Sequence, residues 1–223
     1  MRIKHAISQL NTLIDNTAAN PEKVLLLAVS KGQSIESMQE AFEGGVAHFG
    51  ENYLQEALVK MQALQSLPLC WHFIGPLQSN KAKRIATHFS WVHSLGNEKT
   101  ARILSAFRPA HFPPLNVLIQ VNLDEEETKG GVSAKDLRSL AKTLSELPHL
   151  RLRGLMAIPK PRLDETEQYE SFMRLNRLLA QLNQELNLSM DTLSMGMSED
   201  LVAAIRAGST IVRIGRAIFG ERA

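Results

Sequence analysis

The residue best suited to covalent chemistry is Lys31, which ends the run Leu25-Leu26-Leu27-Ala28-Val29-Ser30-Lys31-Gly32. Five apolar positions before it predict a strand buried on both faces, as in a parallel sheet. A lysine there has two readings. It marks where the strand meets solvent, its ammonium staying hydrated. Alternatively it is a partly desolvated amine with a lowered pKa, able to attack a carbonyl and form a Schiff base. Ser198, at the other end of the chain, is followed by Glu199, Asp200 and an apolar helical stripe. This reads as a helix N-cap with an acidic first turn. A hydroxyl and open amides at a helix start also make an anion site. Gly215 lets backbone N–H groups approach a phosphate without a side chain in the way. Glu199 and Asp200 oppose an anion here unless they point away. Arg213 stands among Ile211, Val212 and Ile214, and by alternation shares a face with Ile211 and Gly215. It either snorkels or pairs with a carboxylate, or it is a permanent cation beside the phosphate, suited to an aromatic nitrogen kept unprotonated.

Other candidates carry less chemistry. His72, between Trp71 and Phe73, reads as a core histidine with its ring nitrogens satisfied. Lys81, Lys83 and Arg84 read as the solvated face of a helix, with Asn80 and Lys81 able to border a site. Lys129-Gly130-Gly131, after the acidic run Asp124 to Glu127, reads as a mobile charged loop or lid. Cys70 is the single cysteine of the chain, so no internal disulfide forms, which suits a reducing cytosol.

These residues need a scaffold, and the hydrophobic periodicity supplies one. A helical stripe over residues 3–14 precedes the strand to Lys31. Helices follow after Ser34, over 54–64, over 78–87, from Asn97 to Phe107, after Ser133, over 165–186 and from Ser198 to Gly208. Strands are predicted over 46–49, 71–74, 91–94, 115–121, 152–158, 192–195 and 211–214, with Gly215-Arg216-Ala217 last. Eight β-α units behind one extra N-terminal helix predict an α/β fold: a (β/α)₈ TIM barrel, one domain over residues 1–223. The absence of a G-x-G-x-x-G turn weighs against an open doubly wound sheet. No P-loop, paired cysteines or metal-spaced histidine pair appears. In a barrel, function gathers at the C-terminal ends of the strands, which is where Ser30-Lys31, Gly50-Glu51-Asn52, Gly75-Pro76, Gln120 to Asn122, Met156-Ala157, Gly196-Met197-Ser198 and Arg213 to Arg216 fall.

Composition excludes several classes. Of 223 residues, 44% are hydrophobic and 22% charged, ordinary for a globular protein. The net charge of +2, with scattered basic residues, gives no drive toward nucleic acid. Polar residues interrupt Met1 to Ala18, so no secretory signal is expected. No apolar run reaches the roughly 20 residues that span a membrane. A cytoplasmic protein is the expectation.

Taken in order, Ala28-Val29-Ser30-Lys31, residues 48–53 (HFGENY), residues 71–81 (WHFIGPLQSNK), Gly154-Leu155-Met156-Ala157-Ile158, Leu193-Ser194-Met195-Gly196-Met197-Ser198 and Val212-Arg213-Ile214-Gly215 closely resemble the pyridoxal 5'-phosphate homeostasis protein family. The likeness runs from about residue 24 to residue 220. It implies a barrel similar to the N-terminal domain of alanine racemase, carrying pyridoxal 5'-phosphate on a lysine. Lys31 matches the Schiff-base lysine, and Ser198 with the backbone of Gly215 and Arg216 matches the phosphate-binding positions. Arg213 matches the partner of the pyridine nitrogen, and Asn52, in the G-E-N motif, the cofactor edge. The family pattern commonly has a small hydroxyl residue where Arg216 stands, so contact there rests on the backbone N–H. The resemblance implies a carrier or regulator of vitamin B6 and of amino- and keto-acid pools, in transient contact with apo-enzymes, with a monomer permitted. An arginine beside the pyridine nitrogen disfavours the protonated ring and makes a poorer electron sink. Racemases of this arrangement take a second base from an additional domain, and here the chain ends at Ala223 directly after the eighth unit. A racemase or related enzyme using Lys31 as base is the alternative. A third reading is a metal-independent barrel acting on a sugar phosphate.

Overall fold

The computed structural model of the protein describes residues 2–126 and 130–220. Eight strands close into a parallel barrel in chain order: β1 (Leu25–Val29), β2 (His48–Glu51), β3 (Cys70–Phe73), β4 (Trp91–Leu95), β5 (Leu115–Gln120), β6 (Leu150–Met156), β7 (Thr192–Ser194) and β8 (Ile211–Ile214). β8 pairs back onto β1, with Leu27 opposite Arg213 and Ala28 opposite Ile214. The predicted α/β barrel is the observed fold.

The N-terminal helix α1 (Arg2–Thr17) packs its Ile3, Ile7, Leu10 and Ile14 face against other helices. After it come α2 (Ile35–Glu43), α3 (Leu54–Ala63), α4 (Ser79–His88), α5 (Glu98–Phe107), α6 (Ala134–Ser145), α7 (Glu165–Leu186), α8 (Leu201–Arg206) and α9 (Arg216–Phe219). The main core lies between sheet and helices, with Phe49, Phe73, Phe89 and Phe172 among its largest buried side chains.

Three predicted caps are present: Ser34, Asn97 and Ser133 each accept the N–H three residues on. Ser34 starts α2 immediately after the Lys31 turn. Ser34→Ala is expected to lower stability by about 1 kcal/mol in urea unfolding, and an unchanged midpoint would show that the cap is dispensable.

Several boundaries differ from the periodicity. β1 stops at Val29, and Lys31 stands in the following turn with Gly32 at φ +72°. β2 lies two residues later than its apolar residues suggest, because Glu51 is wholly buried as its last member. β6 begins and ends two residues earlier than expected. The helix after β7 starts at Leu201 with Asp200 at its cap, so Ser198 is not the N-cap. Asp200 Oδ1 instead accepts the Met197 N–H at 2.6 Å, closing a turn that holds Ser198 ahead of the helix. Among the described residues no helix is long and apolar enough to cross a membrane.

Candidate functional site

At the C-terminal end of the barrel lies a cavity of about 290 Å³. Lys31, Asn52, Ser198, Arg213, Gly215 and Arg216 all line it, so the structure brings all six predicted residues to one place. They come from the ends of β1, β2, β7 and β8. The volume sits near the lower end of the roughly 300–1,000 Å³ usual for small-molecule sites.

Each side chain is placed for a physical reason. Lys31 is half-buried on a turn clamped from behind by a buried ion cluster. Lys60, on α3, has a side chain only 6% exposed. Its ammonium donates to the Ser30 carbonyl at 2.6 Å, to Glu51 Oε1 at 2.8 Å and to Glu56 Oε1 at 2.6 Å. Ser30 Oγ donates to Glu51 at 2.6 Å, and the Gly32 N–H donates to Glu56 at 2.5 Å. Burial pushes the Glu51 carboxyl up, opposed by the hydrogen bonds from Lys60 and Ser30. The backbone on both sides of Lys31 is therefore pinned by one ammonium and two carboxylates.

Asn52 follows β2, and its Oδ1 is buried without a hydrogen-bond partner. A buried orphan acceptor beside a cavity is a place where a ligand donor fits. Gly75 permits this packing: a Cβ there would stand 2.1 Å from the Asn52 carbonyl oxygen.

Arg213 points into the barrel and is 5% exposed. Its guanidinium donates to Ser194 Oγ at 2.7 Å and to the Ala157 carbonyl at 2.9 Å. Burial pushes its pKa down to about 10, so it remains charged at neutral pH. Ser194 in turn meets His93 Nδ1 at 2.9 Å. β7 and β4 are not neighbours in the sheet, so this bond crosses the barrel interior. His93 Nε2 then meets His72 Nδ1 at 2.9 Å, and His72 Nε2 meets His48 Nδ1 at 2.9 Å. Barrel interiors are dominated by branched aliphatic side chains; here a polar chain from Arg213 to His48 runs through this one. His72 is a satisfied core histidine, as its neighbours implied.

Ser198, Glu199, Asp200, Gly215 and Arg216 form one wall of the cavity. Glu199 does not oppose an anion alone, because its carboxylate pairs with the Arg216 guanidinium. That pairing also occupies the Arg216 side chain. Asp200 is engaged with Met197, and burial pushes its carboxyl up.

Sequence reasoning missed two features of the site. The segment after β6, residues 158–162, covers one wall, bringing Lys160 and Arg162 to the cavity. Asp124 holds it, accepting the Lys160 N–H at 2.7 Å and pairing with Arg162 at 2.9 Å. Pro159 and Pro161 signalled only the end of a strand. The Lys60 cluster was hidden because a helical lysine ordinarily reads as solvated. The basic face of α4 does not reach the site: Asn80 and Lys81 are exposed and outside the lining. Of the suggested lid, Lys129 lies outside the described residues, as does Glu127. Gly130 and Gly131 lie against Gln120, away from the cavity.

Comparison with known proteins identifies the family and the fold. The family model for the alanine racemase N-terminal domain matches residues 3–223. The pyridoxal phosphate homeostasis protein of Pseudomonas aeruginosa is 55% identical over 203 residues, covering 91% of this chain and 86% of the relative. That of Escherichia coli K12 is 46% identical over 227 residues, covering 99% and 97%. The solved structure of PipY from Synechococcus elongatus with pyridoxal phosphate bound superposes with a TM-score of 0.87 at 34% identity, covering 98% of this chain and all of that one. Alanine racemase from Corynebacterium glutamicum shares the barrel alone, at 16% identity and a TM-score of 0.72 over 61% of its length. The chain belongs to the alanine racemase N-terminal domain family, among the pyridoxal phosphate homeostasis proteins.

Proposed function

We propose that this protein binds pyridoxal 5'-phosphate on Lys31 and serves vitamin B6 homeostasis in the cytoplasm, storing, protecting or handing over the cofactor and so acting indirectly on amino- and keto-acid pools. The observation that carries the reading is the convergence of an amine, an orphan amide oxygen, a hydroxyl, a glycine-bordered backbone turn and a buried arginine on one cavity. Lys31 supplies the amine for a C=N linkage to an aldehyde. Ser198 and the backbone of Gly215 and Arg216 receive the phosphate. Asn52 Oδ1 accepts from the ligand edge, and Arg213 donates to the ring nitrogen.

Bound pyridoxal phosphate supplies an electron sink for carbanion chemistry, whose strength depends on ring protonation. Arg213 works against that strength. It is a donor only and remains charged at neutral pH, so it favours a ring nitrogen that keeps its lone pair. Among the described residues lining the cavity there is neither histidine nor tyrosine to act as a second base, which supports a carrier over a racemase. Partners in this reading are the cofactor itself and, transiently, apo-enzymes that need it, with the protein acting as a monomer.

The test combines uptake and turnover. The protein incubated with pyridoxal phosphate and dialysed is expected to stay coloured. With L-alanine in deuterated water it is expected to exchange the α-proton no faster than free cofactor does. Exchange far above that level would favour the racemase, and a chain that takes up no cofactor would overturn the reading altogether.

A further inference from the structure

The polar chain that ends at Arg213 begins, at the opposite end of the barrel, in a group of residues that the cofactor cavity does not use. β2 and β3 start with His48 and Cys70 paired in register, and His72 follows Cys70 on the same inward face. His48 Nδ1 lies 2.9 Å from His72 Nε2, and Cys70 Sγ lies 3.6 Å from that same nitrogen. The three donor atoms all lie within 4.8 Å of one another. We propose that His48, Cys70 and His72 form a thiolate–imidazole binding site for a transition-metal ion of the zinc class.

Two of the donor separations, both measured from His72 Nε2, suit such an ion. With metal–sulfur and metal–nitrogen bonds of about 2.3 Å and 2.0–2.1 Å, the 3.6 Å separation subtends an angle of about 110°, the tetrahedral value. The two imidazole nitrogens subtend about 90° and need to part by about 0.4 Å to become tetrahedral. Breaking one hydrogen bond between half-buried and buried rings permits that movement. One thiolate with two imidazoles selects zinc, cobalt(II) or copper over the oxygen-seeking magnesium and calcium.

The surroundings match a ligand set as well. His72 is fully buried, whereas His48 and Cys70 are half-buried, so one side admits the ion and a water as fourth ligand. The remaining nitrogen of His72 already has a partner, His93 Nε2 at 2.9 Å, and His93 is held by Ser194. A ligating histidine usually donates its other N–H in this way, which fixes its tautomer. The His72 ring is further fixed by stacking on Trp91, with centroids 5.4 Å apart and planes 6° from parallel. Binding breaks the Cys70 S–H bond, forms the metal–sulfur bond and releases one proton to solvent.

The experiment uses the untagged full chain, stripped with chelator under reductant and titrated with Co²⁺ alone. Expected are one ion per chain, a thiolate-to-cobalt charge-transfer band and the visible bands of four-coordinate cobalt, all displaced by Zn²⁺. Cys70→Ser is expected to lose the charge-transfer band. Both Cys70→Ser and His48→Gln are expected to weaken binding by about tenfold or more, with far-ultraviolet circular dichroism unchanged. His48→Gln carries the test should Cys70→Ser fold poorly, since His48 is half-buried at a strand start. Absence of the charge-transfer band in the natural protein, or equal affinity in the variants, would overturn the site. Neither result bears on cofactor uptake at the opposite end of the barrel.

Discussion

Lys31→Ala is expected to yield a folded protein that loses its cofactor colour on dialysis. The lysine stands in a turn, half-buried at the cavity wall, so its truncation removes no core packing. What it removes is the only covalent contact in the proposed site. The proposed phosphate and ring contacts at Ser198, Gly215, Arg216 and Arg213 are retained, so pyridoxal phosphate is still expected to bind, but reversibly. A loss of about a hundredfold in retention, equivalent to about 2.8 kcal/mol, is expected by equilibrium dialysis. Lys160→Ala serves as the control, because Lys160 also lines the cavity but is exposed on the wall loop. It is expected to leave retention unchanged. The reverse pattern would place the linkage on Lys160.

Lys60→Met is expected to cause a large loss of stability, about 3–5 kcal/mol, from breaking a buried pair by removing one partner. The ammonium is bonded to Ser30, Glu51 and Glu56, and Glu51 is wholly buried with its Oε2 already lacking a partner. Without Lys60, Glu51 is left as an uncompensated charge or must take up a proton. Its folded-state pKa, already raised by burial, then rises further above the ordinary 4.5. A group raised on folding stabilises below its unfolded pKa and loses that contribution as pH rises through the folded value. The deficit of the variant is therefore smallest near pH 4.5 and grows toward neutrality, which urea unfolding across that range measures. The double variant Lys60→Met, Glu51→Gln is expected to recover part of the loss, because no charge remains stranded. A single-variant loss under about 1 kcal/mol would mean that the cluster is not what holds the Lys31 turn.

The two variants separate position from chemistry. In the proposed site Lys31 forms the covalent link, whereas Lys60 fixes the backbone from which Lys31 projects. Both are expected to reduce cofactor retention, but only Lys60→Met shifts the unfolding midpoint.

Much of the fold was readable from the chain because apolar runs and caps are local signals. Leu25–Val29, Leu115–Gln120 and the stripe of α7 each announce themselves within one element. The six cavity residues were readable for a related reason. Polar and glycine residues at the ends of apolar strands stand out, and a barrel collects those ends in one place. What could not be read depends on contacts between distant parts. His93 and Ser194 are 101 residues apart, and only barrel closure makes them partners. Glu51 resembles a solvent exit until Lys60, nine residues later on another element, is found to neutralise it. Ser198 carried the correct cavity but the wrong local role, since Asp200 competes for the same turn and takes the cap position. Boundaries slipped where a charged or glycine residue is buried in a strand, as in β2.

Lys31, and no other lysine, is the proposed carrier of pyridoxal phosphate. Borohydride reduction of the cofactor-loaded protein, followed by proteolysis and mass spectrometric peptide mapping, tests it directly. The expected result is a single reduced pyridoxyl adduct on the peptide containing Lys31. An adduct on the peptide containing Lys160 or Lys60, or no adduct on a protein that remains coloured, would contradict it.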